Sequence, residues 1–193
     1  MSKQFILIGG LPGSGKTHIG KILANDINAV YLDKDTISRD FTEAMLVEIG
    51  CSSDDRESEL YLAKVRDHEY STMMKIGMEN LELGNSVICS APFISEFKSN
   101  EWVDERVFDA EMADAEFSAI WIHVDETTAN DRIVSRGASR DNWKLTNWAV
   151  YTEKTPHITP IFDFEYILID NSLDPATPLD QQICDVIGRL NGG

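Results

Sequence analysis

The chain has 193 residues, 42% of them hydrophobic and 26% charged, which excludes a disordered or collagen-like polymer. No apolar run approaches the roughly 18 residues that a membrane helix needs. The net charge of −16 argues against general affinity for polyanionic surfaces, because binding to a phosphate backbone depends on clustered Lys and Arg, though it leaves room for a local basic pocket. Apolar runs alternate with helical patterns along the chain. Gln4–Ile8 reads as a buried strand, and Lys16–Asn25 as a helix with Ile19, Ile22 and Leu23 at helical spacing. Ala29–Leu32 is a second strand. A long helix is expected from about Arg56 to Leu83, with Leu62, Val65, Met73 and Ile76 as its inner stripe. Gly84–Asn85 stops it, and Ser86–Cys89 forms a third strand. Phe117–Val124 and Tyr166–Ile169 are the fourth and fifth. A last helix carries Leu179, Ile183, Ile187 and Leu190 on its inner face.

Short apolar strands separated by helices predict an α/β fold with a parallel sheet covered on both faces. One domain is expected over residues 1–193. Right-handed crossovers place every strand's C-terminal end on one edge, where ligands bind. The candidate site is therefore Gly9–Thr17, Asp33–Asp35, Ser90–Phe93, Asp125 and Asp170–Ser172. Three widely spaced cysteines (Cys51, Cys89, Cys184) fit neither a disulfide framework nor a zinc site. They predict a reduced, cytoplasmic setting.

Gly10-Leu-Pro-Gly-Ser-Gly-Lys16-Thr17 matches G-x-x-x-x-G-K-[ST] in full, between a predicted strand and a predicted helix. Such a loop binds nucleotide phosphates. Gly13 and Gly15 let backbone N–H groups turn inward, and the helix start adds its positive dipole end. Leu11, Pro12 and Ser14 complete the cradle. Lys16 reaches the β- and γ-phosphates of ATP, and the Thr17 hydroxyl ligates Mg²⁺. No N-K-x-D segment for reading guanine is present.

Asp33 and Asp35 follow the second strand at spacing i, i+2. Near bound Mg·ATP, one can hold a metal-bound water and the other can accept a hydroxyl proton. Both also suit a turn or a helix N-cap, where Asp is favoured. Arg132, Arg136 and Arg140 recur at spacing four, so they share one face if helical. Gly137 beside them suits a lid hinge, over about residues 134–150. The same arginines also suit ion pairs with the many acids. Arg66, Glu69 and Tyr70 suit either an acceptor pocket or a helix surface.

The pattern GLPGSGKTxxG…YLDKDT resembles the phosphate-loop kinases of small molecules. Gluconate and shikimate kinases have a similar LD-x-D segment. Zeta-type toxin kinases, chloramphenicol phosphotransferase and the kinase domain of phage polynucleotide kinase have a related acidic turn. Val87–Phe93 is similar to the VCSAL segment of gluconate kinases. The resemblance implies a three-layer fold with a five-stranded parallel sheet in order 2-3-1-4-5. It implies transfer of a phosphoryl group from ATP to a hydroxyl, with Lys16, Asp35, Arg136 and Arg140 as catalytic residues. It also implies that Arg132 lies against the adenine. The chain departs from these families at named places. Ser90 stands where many phosphate-loop enzymes carry an acid, so Mg²⁺ would rest on Thr17, water and Asp33. The gluconate-kinase Gly-His-Phe of the lid and the shikimate-kinase glycine triplet are absent. The expected partner is a small hydroxyl acceptor rather than nucleic acid or membrane. The rival readings are a polynucleotide 5′-kinase and an ATP-driven switch.

Overall fold

A computed structural model describes residues 2–192. Five parallel strands form one sheet in the order β2-β3-β1-β4-β5. They are β1 (Lys3–Gly10), β2 (Val30–Asp33), β3 (Val87–Ser90), β4 (Ala115–His123) and β5 (Ile167–Asp170). Side chains alternate between faces along each strand, and both faces are apolar. Phe5 and Leu7 of β1 point to one side, and Ile6 and Ile8 to the other.

On the Ile6 side lie α1 (Lys16–Asp26) and the C-terminal helix, packed through Ile19, Leu23, Ile183, Val186 and Leu190. On the Phe5 side lie Met73 and Leu81 of the helix before β3, and Phe93, Phe97 and Trp121 beside it. Phe93, Phe97, Phe162 and Phe164 build a ring cluster with centroids 5.2–5.5 Å apart between neighbours. This cluster anchors the irregular stretch that precedes β5.

The order of strands matches the expectation; two helical assignments change. A helix α2 (Lys34–Glu48) leaves β2 directly. The sequence reading had no helix there. The stretch expected as one helix from Arg56 to Leu83 is two, α3 (Glu59–Lys64) and α4 (Arg66–Glu82), broken at Val65. Ser58 caps α3 by accepting from the Tyr61 N–H, which starts the helix later than expected. Leu62 consequently faces solvent rather than the core, whereas Val65 and Met73 are buried.

After β3 come α5 (Asn100–Met112), then β4 and α6 (Glu126–Arg136). Gly137 ends α6 in the left-handed region, φ 60°. Beyond it, a 3₁₀ turn (Ser139–Asp141), α7 (Asn142–Thr146) and α8 (Trp148–Lys154) fold over the sheet edge. The last helix is α9 (Leu179–Asn191).

Candidate active site

The loop between β1 and α1 lies at the C-terminal edge of the central strand. Gly10, Gly13 and Gly15 have φ of 149°, 81° and 90°, conformations that favour glycine. Space makes the same demand. A Cβ on Gly13 would lie 2.8 Å from the Ala129 carbonyl oxygen of α6. One on Gly15 would collide with the Asn171 amide. Asn171 in turn donates to the Ser14 carbonyl at 2.8 Å, so the segment after β5 braces the loop. The Ser14 hydroxyl is buried beneath Gly10 with no partner among the described residues. Loop shape and helix start together fit a nucleotide's phosphates.

Lys16 Nζ donates to the carbonyls of Gly10 at 2.8 Å and Leu11 at 3.0 Å. Burial pushes its pKa down to about 8, against the opposing charges of Asp35 and Asp33. The Thr17 hydroxyl donates to Asp33 Oδ2 at 3.1 Å, so its lone pairs face outward and fit a cation. Asp33 Oδ1 accepts the Thr36 N–H at 3.1 Å and caps α2. The helix N-cap reading of Asp33 is the one seen directly. No cluster of three His, Cys, Asp or Glu suited to a metal occurs among the described residues.

Asp35 opens α2 on the same edge. Its Oδ1 lies 3.1 Å from Lys34 Nζ and its Oδ2 accepts from Arg140 at 2.6 Å. Burial works to raise its pKa, but Lys34 and Arg140 hold it well below the usual carboxylate range. Lys34 also meets Glu69 Oε2 at 2.8 Å, and both side chains are buried. Glu69 further accepts from Thr42 at 2.7 Å, Tyr61 at 2.7 Å and Ser38 at 3.1 Å. Burial would raise its pKa too, but Lys34 and these donors lower it. Glu69 is thus an internal anchor that supports Lys34 behind Asp35, and not an acceptor ligand. Glu69→Ala leaves Lys34 short of its main counter-charge. It is expected to cost about 3 kcal/mol, the low end for a broken buried pair. Thermal denaturation should show a fall in Tm of roughly 6–12 °C.

Arg66 is likewise occupied. It grips Glu96 with both terminal nitrogens, at 2.7 and 3.0 Å, and stacks on Tyr70. Asp55 and Arg56 bond to the backbone of their own loop.

Arg132 and Arg136 lie four apart on α6, but Gly137 ends that helix before Arg140, so the three arginines do not share one face. Arg132 donates to the Gly13 carbonyl at 3.2 Å and lies 3.5 Å from the Asn171 oxygen, against the phosphate loop. Arg136 pairs with buried Asp141, through Nε at 3.0 Å and Nη2 at 2.5 Å. Arg140 sits in the 3₁₀ turn and reaches Asp35. Two further contacts tie the segment after α6 to the Ser52–Ser58 loop: Ser139 donates to Asp54 at 2.7 Å, and Lys144 meets Glu57 at 2.7 Å. Trp148 and Tyr151 pack on one another and on His157, while Trp143 is exposed.

This fold and phosphate loop define an α/β protein of the P-loop class. The chain belongs to the AAA domain family, whose model matches residues 5–154. No curated protein matches the sequence. Among solved structures, it is similar to a Chloroflexus aurantiacus protein at TM-score 0.67 and 18% identity, over 96% of this chain and 97% of that one. It is also similar to a gluconokinase from Sinorhizobium meliloti (TM-score 0.58, 14% identity, 98% and 92% coverage). An APS kinase from Mycobacterium tuberculosis, solved with AMPPNP and APS, aligns at TM-score 0.57 and 16% identity over 100% and 99%. No helix among the described residues is long and apolar enough to cross a membrane.

Proposed function

We propose that the chain is a cytoplasmic, ATP-dependent phosphotransferase, acting as one domain over residues 1–193. It moves the γ-phosphoryl group to a hydroxyl of a small polar molecule. The observation that carries this reading is Asp35, an ionised carboxylate on the sheet edge shared with the phosphate loop, held between Lys34 and the lid's Arg140.

In this reading the loop amides and Lys16 bind the phosphates, and Leu11, Pro12 and Ser14 shape the cradle. Thr17 and Asp33 would hold Mg²⁺, which supplies charge neutralisation at the phosphates. Arg132 flanks the adenine side. Asp35 accepts a hydrogen bond from the acceptor hydroxyl and aims its oxygen at phosphorus. The new O–P bond forms as the bond from phosphorus to the β,γ-bridging oxygen breaks. The hydroxyl proton passes to Asp35 and then to water. Phosphoryl transfer proceeds through a loose transition state, so aiming the oxygen matters more than basicity. The depressed pKa of Asp35 is compatible with that task. Arg136 and Arg140 offer positive charge to the transferring group.

Charge supports a small acceptor. Asp and Glu number 33 against 17 Lys and Arg, a balance that disfavours the polyanionic backbone of a nucleic acid. The gluconokinase and APS kinase folds lend the same direction. The test offers γ-labelled ATP with a metabolite library and a 5′-hydroxyl oligonucleotide side by side. Label in a small hydroxyl compound is the expected result. Efficient labelling of the oligonucleotide, or ATP hydrolysis with no labelled product, would replace this reading with a polynucleotide kinase or a switch.

A further inference from the structure

The end of β2 carries an arrangement that the phosphate-loop motif does not require. Asp33 Oδ2 accepts from two hydroxyls, Thr17 Oγ1 at 3.1 Å and Tyr31 OH at 3.3 Å. Tyr31 and Asp33 are two residues apart on one strand, so both face α1. The tyrosine ring fits there because α1 has a glycine opposite. A Cβ on Gly20 would lie 2.6 Å from Tyr31 Cε2. Ser90 stands beside Asp33 in the parallel register of β2 and β3. It is 2% exposed, and its hydroxyl has no partner among the described residues.

We propose that Tyr31 is a positioning residue for the divalent cation, holding Asp33 Oδ2 against Thr17, with the buried Ser90 hydroxyl completing the polar wall where related loops carry an acid. This rests on the reading of the loop as a Mg·ATP site. The physical need is plain. An aspartate that also caps α2 through Oδ1 has one oxygen left for the site. A second donor on that oxygen fixes its direction, as outer-sphere hydrogen bonds do for metal ligands generally. Space made by Gly20 keeps the donor in reach.

The test is calorimetric and needs no acceptor. ATP affinity is measured in EDTA and again with Mg²⁺, and the gain due to metal is the readout. Tyr31→Phe keeps the ring and removes the hydroxyl. It should leave affinity in EDTA unchanged and reduce the metal-dependent gain by roughly tenfold, the low end for an outer-sphere partner. Ser90→Ala should reduce it less. Asp33→Asn should abolish most of the gain, and adding Tyr31→Phe should then cost nothing more, since Tyr31 acts through Asp33. An unchanged gain in Tyr31→Phe would overturn the proposal. So would an equal loss with and without metal, which marks a merely structural hydroxyl. Wild-type protein that binds ATP with no gain from Mg²⁺ overturns it and leaves nucleotide binding standing. Failure to bind ATP at all removes both. Tight Mg·ATP binding without any phosphorylated acceptor counts against the kinase reading alone.

Discussion

Lys16→Ala is expected to remove phosphoryl transfer and to weaken ATP binding by about 10²-fold. Lys16 carries the only ammonium in the phosphate loop, and its charge-assisted bonds to phosphate are each worth about 1.5–3 kcal/mol. At roughly 1.4 kcal/mol per tenfold change, one or two such bonds account for that loss. The transfer step loses more, because negative charge spreads onto the γ-oxygens in the transition state. Lys16 also gives the site a pH signature. Burial places its pKa near 8, so above that pH a growing fraction of the protein has a neutral amine. A bound polyanion favours the charged form and raises the pKa again. ATP binding at pH 8.5 should therefore take up protons, and at pH 6.5 take up few. Titration calorimetry in buffers of different ionisation enthalpy measures this directly. Undiminished ATP affinity in Lys16→Ala would remove the loop from the site.

The sheet was readable because its strands are short apolar runs buried on both faces, such as Phe5–Ile8 and Val87–Cys89. Their order came from the resemblance carried by the phosphate loop and the YLDKDT turn. Helix α2 was not readable, and the reason is physical. Its inner stripe is Lys34, Ser38, Thr42 and Leu46, because it packs on the polar surroundings of Glu69 and not on the apolar sheet. A search for apolar periodicity passes over such a helix. The one signal is Asp33, which suits a turn as well as a helix N-cap. Partners of the site's ions were hidden for another reason. Arg140 meets Asp35 across 105 residues of sequence, and Glu69 meets Lys34 across 35. Spacing along the chain carries no trace of such pairs. Lys34, between the two aspartates, carries no signal of its own in the sequence, although Asp35 leans on it.

Asp35→Asn is expected to lower kcat by at least 10²-fold, roughly the contribution of a positioned proton acceptor, while leaving ATP affinity nearly unchanged. The amide keeps the shape of the side chain but loses its charge. It can still touch the acceptor hydroxyl, but without the charge it aims the hydroxyl oxygen less firmly, and it cannot take up the proton. The effect on folding should be small. Lys34 retains Glu69, and Arg140 sits on a partly exposed lid where a lost ion pair costs about 0–1 kcal/mol. A large loss of rate beside a small loss of stability separates a chemical role from an architectural one. The pH profile adds a second check. Lys34 and Arg140 hold Asp35 ionised well into acid, against the pull of burial. Its carboxylate is therefore already formed at pH 5, and lowering the pH from 7 to 5 should not reduce wild-type kcat through this group. Arg140→Ala removes one of the cations that hold the Asp35 pKa down, so that pKa should rise, while Lys34 continues to lower it. In that variant the acid limb of kcat should move to higher pH. A wild-type limb that stays in place when Arg140 is removed would mean that Asp35 is not the group titrating. Full activity in Asp35→Asn would reduce it to the first turn of a helix.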